Sequence, residues 1–139
     1  MIEKSVLLAC GVAEAFDLFT LRAGSWWPVE RRHTKDAHGE IVIDPGGRFF
    51  ERSSAGVEIA LGVVRVFERP HRLVLDWYPG TGADAPTEVE VRFEAAEGGT
   101  QVTVRHGPGR AGDERFDRSA PAYARSWDLV LAALTSTSH

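Results

Sequence analysis

Between Thr87 and Glu94 apolar and charged side chains alternate without a break, with Val89, Val91 and Phe93 on one side and Glu88, Glu90, Arg92 and Glu94 on the other. Successive side chains of a strand project to opposite faces, so this pattern predicts a strand in an antiparallel sheet with one solvated side. A turn at Gly98, Gly99 and Thr100 leads into a second run, where Val102, Val104 and His106 are in phase against Thr103 and Arg105. The two runs predict a hairpin. Val57, Ile59, Leu61 and Val63 predict a third strand and Leu73, Leu75 and Trp77 a fourth, with Arg69, Pro70 and His71 turning between them. Shorter strands are expected at Ile2 to Leu8, Ile41 to Ile43 and Arg48 to Glu51.

Helical spacing occurs twice. Val12, Phe16 and Phe19 fall at i, i+4 and i+7, predicting a short amphipathic helix over Val12 to Leu21 that ends before Gly24. Tyr123, Trp127, Val130, Leu131 and Leu134 form a stripe that predicts a C-terminal helix, with Ser119 as its N-cap and Pro121 in its first turn. Sequential strands with helices at the chain ends indicate an α+β fold built on an antiparallel sheet. Gly62, inside the third strand, fits a bulge that lets the sheet curl around the last helix.

Composition narrows the picture. The 139 residues carry 16 basic and 20 acidic side chains, a net charge of -4, and 43% hydrophobic positions. A chain of this length supports one core, and a single domain over 1–139 is expected. The mild acidity argues against a nucleic-acid partner, which needs a basic face. The longest apolar stretch, around Leu129 to Leu134, is far short of a membrane span, so no membrane association is expected and the cytoplasm is the default location. A single cysteine, Cys10, excludes an internal disulfide and any cluster of thiolate ligands.

The helix Ala13 to Thr20 followed by Trp26 and Trp27, and then Gly46, Gly47, Arg48 and Phe49, begin a recognisable order of motifs. It continues with Gly62, Val63 and Val66, then Pro70, Leu73, Val74 and Trp77, then Gly99, Thr100, Val102, Thr103 and His106, and closes on Trp127, Leu131 and Leu134. Across nearly the whole chain this order resembles the SRPBCC or START-like superfamily of helix-grip proteins, and within it the domain similar to the activator of the heat-shock protein 90 ATPase. Ser126 is a departure, standing where that family often places a Gly before the Trp of the last helix. The resemblance implies a helix-grip, a curved antiparallel sheet wrapped around a long C-terminal helix, serving as a scaffold for a ligand or a partner.

His106 is in phase with core valines and is expected on the concave side, where an imidazole can move a proton, hold a ligand oxygen, or simply be satisfied by a neighbour. Trp26, Trp27, Trp77, Tyr123 and Trp127 are apolar bodies with polar tips, suited to lining a pocket for an aromatic molecule or to packing as core. With Phe49 and His106 they form the expected ligand-binding set. Arg65, in phase with Val63, would point inward unless a bulge shifts the register. His33, Asp36 and His38 lie close in sequence but on no common helix or strand face, so no metal site is expected. Neither a nucleophile elbow nor a phosphate-binding glycine pattern is present, and no catalytic residue or cofactor is assigned. The favoured function is binding of a small apolar or aromatic molecule in an aromatic-lined cavity, with a homodimer left open. Its rivals are a cyclase- or aromatase-like enzyme using His106 as proton shuttle, and a chaperone-ATPase co-factor acting by protein contact.

Overall fold

The two alternating runs do pair as a hairpin, and they lie within a sheet of seven strands. The computed structural model describes residues 1–137. Its strands are β1 (Ile2–Leu8), β2 (Glu40–Ile43), β3 (Arg48–Arg52), β4 (Glu58–Glu68), β5 (Arg72–Trp77), β6 (Thr87–Ala96) and β7 (Gly99–Gly107). In space they run β1-β7-β6-β5-β4-β3-β2, every neighbouring pair antiparallel. Two helices, α1 (Val12–Phe19) and α2 (Asp113–Thr137), pack on one face, giving the α+β helix-grip. Val89, Val91, Phe93, Val102 and Val104 are fully buried, while Glu88, Arg92 and Glu94 on the same strands are exposed. Phe16 and Phe19 of α1 and Trp127, Leu131 and Leu134 of α2 close the same core. Among the described residues no helix is long and apolar enough to cross a membrane.

Two bulges set the curl. Phe49 pairs with Gly62 but Phe50 with Ala60, so Leu61 is the extra residue; Val64 pairs with Leu75 but Val66 with Val74, so Arg65 is the second. Each bulge reverses the inward phase of β4. The buried positions are therefore Leu61 and Val64, whereas the expected Val63 is only half-buried and Val57 lies outside the strand, exposed. The second bulge turns Arg65 outward, where its guanidinium meets Asp76 at 3.2 Å. Arg65 therefore offers nothing to the concave side.

The helix boundaries also differ from expectation. α1 stops at Phe19, because the Thr20 hydroxyl and backbone N–H both donate to the Phe16 carbonyl and close the last turn. α2 starts at Asp113, so Ser119 and Pro121 lie inside it. Asp113 and Glu114 suit the positive end of the helix dipole, and Phe116 buries itself one turn before the predicted start. The charged segment Asp113 to Arg118 hides that single apolar anchor from a periodicity reading.

Candidate functional site

A cleft of about 320 Å³ is bordered by β2 to β5, the segment after α1, and α2. Its apolar walls come from every layer: Trp27 from the segment after α1, Phe49 and Leu61 from β3 and β4, Trp77 from β5, and Tyr123, Trp127 and Val130 from α2. Glu30, Arg31, His33 and Lys35 stand along the mouth, and Ser126 of α2 presents a small side chain to it. Such a mixture of rings and a few polar groups is the ordinary lining of a small-molecule site.

The rings support one another. Trp77 lies 5.3 Å from Trp127 and 5.3 Å from Phe49, centroid to centroid, and Trp27 sits 6.4 Å from Trp77 and 6.3 Å from Trp127. Those spacings are typical of favourable aromatic pairs. Tyr123 donates its phenol to the Pro79 carbonyl at 2.7 Å, which ties α2 to the loop after β5. Trp26 stacks on Trp27 at 5.2 Å but turns away from the cleft, donating its indole N–H to the Leu18 carbonyl at 2.7 Å. It braces Trp27 from behind.

His106 is fully buried and also lies behind the wall, outside the cleft lining. An indole can only donate, so the 3.1 Å contact from Trp127 Nε1 makes His106 Nδ1 an acceptor. The proton of the neutral ring is then on Nε2, which donates to Thr87 Oγ1 at 2.7 Å. The Thr87 hydroxyl in turn donates toward the Trp77 carbonyl at 3.4 Å. Burial pushes the pKa of His106 down to about 3, with the N-terminal ammonium adding to the effect. Both nitrogens are occupied, Nε2 by Thr87 and Nδ1 by Trp127, a wall of the cleft that the second bond orients.

The mouth segment is held by Arg32, which is buried without a carboxylate partner among the described residues. Its guanidinium donates to the carbonyls of Trp27, Gly24, Asp36 and Gly39 at 2.9 to 3.3 Å. Asp36 fastens the same segment to the β3–β4 turn by accepting from Ser54 N–H, Ser54 Oγ and His38 N–H. Those bonds hold its carboxyl at about 2. The carboxylate oxygens of Asp36 thus serve the loop, and among the described residues no three His, Cys, Asp or Glu side chains converge as a metal site would require. Burial and the nearby Glu14 carboxylate raise the Cys10 thiol, which keeps it protonated and a poor nucleophile.

One polar residue of the cleft escaped the sequence reading. Glu51 of β3 is fully buried, lines the cleft beside Phe49, and accepts the Thr34 N–H on Oε2 at 2.7 Å. Its other oxygen, Oε1, has no hydrogen-bond partner among the described residues. The signal was present: Glu51 is two residues from Phe49 and shares its face, so a carboxylate stands in phase with the apolar side of a strand.

Comparison with known proteins agrees with the architecture. The model of the family described as Activator of Hsp90 ATPase homolog 1-like protein matches residues 12–138. Among solved structures, the chain is similar to CalC from Micromonospora echinospora, a self-sacrificing resistance protein, at 26% identity and a TM-score of 0.76, covering 98% of this chain and 92% of that one. It is also similar to Txn09, described as an anthrahydroquino-gama-pyrone synthase complexed with SUM, at 30% identity and a TM-score of 0.57, covering 84% and 82%. CalU16, also from Micromonospora echinospora, shares the fold at 20% identity and a TM-score of 0.61, covering 96% of this chain and 69% of that one. Among curated proteins none matches significantly.

Proposed function

Because the chain belongs to the family of activator of Hsp90 ATPase homolog 1-like proteins, within the SRPBCC superfamily, we propose that it binds a small, largely apolar aromatic molecule in the cleft between β3–β5 and α2. The observation that carries this reading is the ring-lined opening itself. Trp27, Phe49, Trp77, Tyr123 and Trp127 border about 320 Å³ that the core side chains leave unfilled. Small-molecule sites are concave and lined mainly by apolar and aromatic side chains, so an open cleft of this size walled by five rings favours an aromatic guest. Trp26 and His106 act from behind the wall, fixing Trp27 and Trp127.

Binding without catalysis is the better-supported form of the proposal. A proton shuttle needs a nitrogen within reach of the ligand and a pKa near the working pH, and His106 has neither. The name of Txn09 describes a synthase, and a catalytic version of this site would have to use residues other than His106. Contact with a chaperone finds support only in the family's name.

The test is a thermal-shift screen of apolar aromatic compounds on the wild-type chain and on Ser126→Trp, whose indole would occupy the cleft. A ligand at 100 times its Kd adds about 2.7 kcal/mol of stability, raising Tm on the order of 10 °C for a domain this size. The wild type should show such shifts and Ser126→Trp should lose them. A panel that leaves the wild type unmoved, or shifts both proteins equally, would end this reading.

A further inference from the structure

We propose that Glu51 Oε1 is the hydrogen-bond acceptor of the cleft and that the guest it selects is a neutral aromatic hydroxyl compound, whose O–H it receives. This rests on the binding reading above and sharpens it to a chemical class. Buried side-chain oxygens almost always have a partner, because an unmet acceptor loses its hydration for nothing. Among the described residues only two buried side-chain polar atoms lack one, Glu51 Oε1 and Thr81 Oγ1, and only Glu51 lines the cleft. The carboxylate is also anchored, because Thr34 N–H occupies Oε2 at 2.7 Å and leaves Oε1 as the oxygen without a donor.

The surroundings state what should fill it. Ile41 and Ile59 flank Glu51 across the ladder and Phe49 shares its face, so a donor arriving there meets a carboxylate in a poorly hydrated setting where the bond is strong. Charge separates an alcohol from an amine. Arg31, Arg32 and Lys35 line the cleft against Glu30 and Glu51, one more cation than anion. Arg32 faces only carbonyl oxygens, so its charge remains to balance Glu51. A cationic guest would add to a positive excess, whereas a hydroxyl brings a donor and no charge. The aromatic wall supplies the rest of the recognition.

Calorimetric titration of the full chain with 2-naphthol, 2-methoxynaphthalene and 2-naphthylmethylamine tests the assignment. The first two share a ring system but only the naphthol can donate, and the third is a cation at neutral pH. The wild type should bind 2-naphthol at least about tenfold more tightly than 2-methoxynaphthalene, the usual worth of a hydrogen bond to a charged group. In Glu51→Gln the Thr34 N–H should retain the amide oxygen and turn the NH2 toward the cleft, so the preference should fall to about twofold or less. The probe comparison on the wild type needs no variant and stands even if the substitution unfolds the chain. Equal binding of the two probes to the wild type would overturn the role of Glu51 while leaving the cleft as a binding site. So would a preference that survives Glu51→Gln. Tighter binding of 2-naphthylmethylamine than of 2-naphthol would overturn the neutral class, and failure of all three probes to bind would remove the binding reading together with this one.

Discussion

Protonating His106 would require Nδ1 to take a hydrogen where Trp127 Nε1 already directs one. In the unfolded chain this ring titrates near 6.5, and in the folded chain burial holds it to about 3. Between those values the unfolded state binds the extra proton, so stability rises with pH across the window. The contribution is complete above about 6.5 and is lost progressively as pH falls toward about 3, at a slope of about 1.4 kcal/mol per pH unit. Urea unfolding between pH 7.5 and 4 should show this decline, and His106→Gln, which cannot titrate, should show a flatter one, so that the gap between the two proteins narrows in acid. Parallel pH profiles would mean that His106 is not the group responsible. Strand phase placed this ring on the concave side, but its partner Trp127 is 21 residues away on another element, and no local pattern reveals which side chain will donate to it. Glu51 was readable by the same phase argument, whereas its unpaired oxygen depends on where Thr34, 17 residues earlier, comes to rest.

At the level of elements, β4 shows what a glycine contributes to curvature. A Cβ at Gly62 would collide with the Asp76 carbonyl oxygen and lie 3.0 Å from the Phe49 ring, so neither the adjacent backbone of β5 nor the ring could stay in place. Gly62→Ala should cost about 1–3 kcal/mol, read as a lowered urea midpoint. Because Phe49 is a wall of the cleft, the same variant should also weaken aromatic binding by more than its stability loss explains; an unchanged midpoint would show that the bulge tolerates a methyl group. The existence of seven strands and two helices was legible because period two and period 3.6 survive over most of each element. Their bounds were less so. The phase that joins Val57, Ile59, Leu61 and Val63 breaks at the bulge on Leu61, so Val64 takes the buried place expected of Val63. Pro121 suggested a helix start, yet a long amphipathic helix anchored by Phe116 carries the proline within it, losing one backbone hydrogen bond.

For the molecule as a whole, the helix-grip was legible from element order, while the cleft was not, because a void is a property of volumes meeting across elements and no single stretch of chain encodes it. The sheet order has one further consequence. Five of its strands, β2 to β6, each pair with the strand next in sequence, but β1 pairs with β7, so that Ser5 Oγ lies 2.9 Å from Thr103 Oγ1 across 98 residues of chain. Closing so long a loop costs entropy that the hairpins never meet, so β1 should be the last strand to join during folding and the first to leave. Pulse-labelled hydrogen exchange during refolding should protect the amides of β5 to β7 before those of β1, and simultaneous protection would contradict this order. Ile2 of β1 stands opposite His106 in the ladder, but the rings around that imidazole, Trp77, Phe116, Tyr123 and Trp127, belong to β5 and α2. The cage of the histidine can therefore close before the sheet is complete, and acid that opposes its burial should act on the docking of α2 while leaving the arrival of β1 untouched.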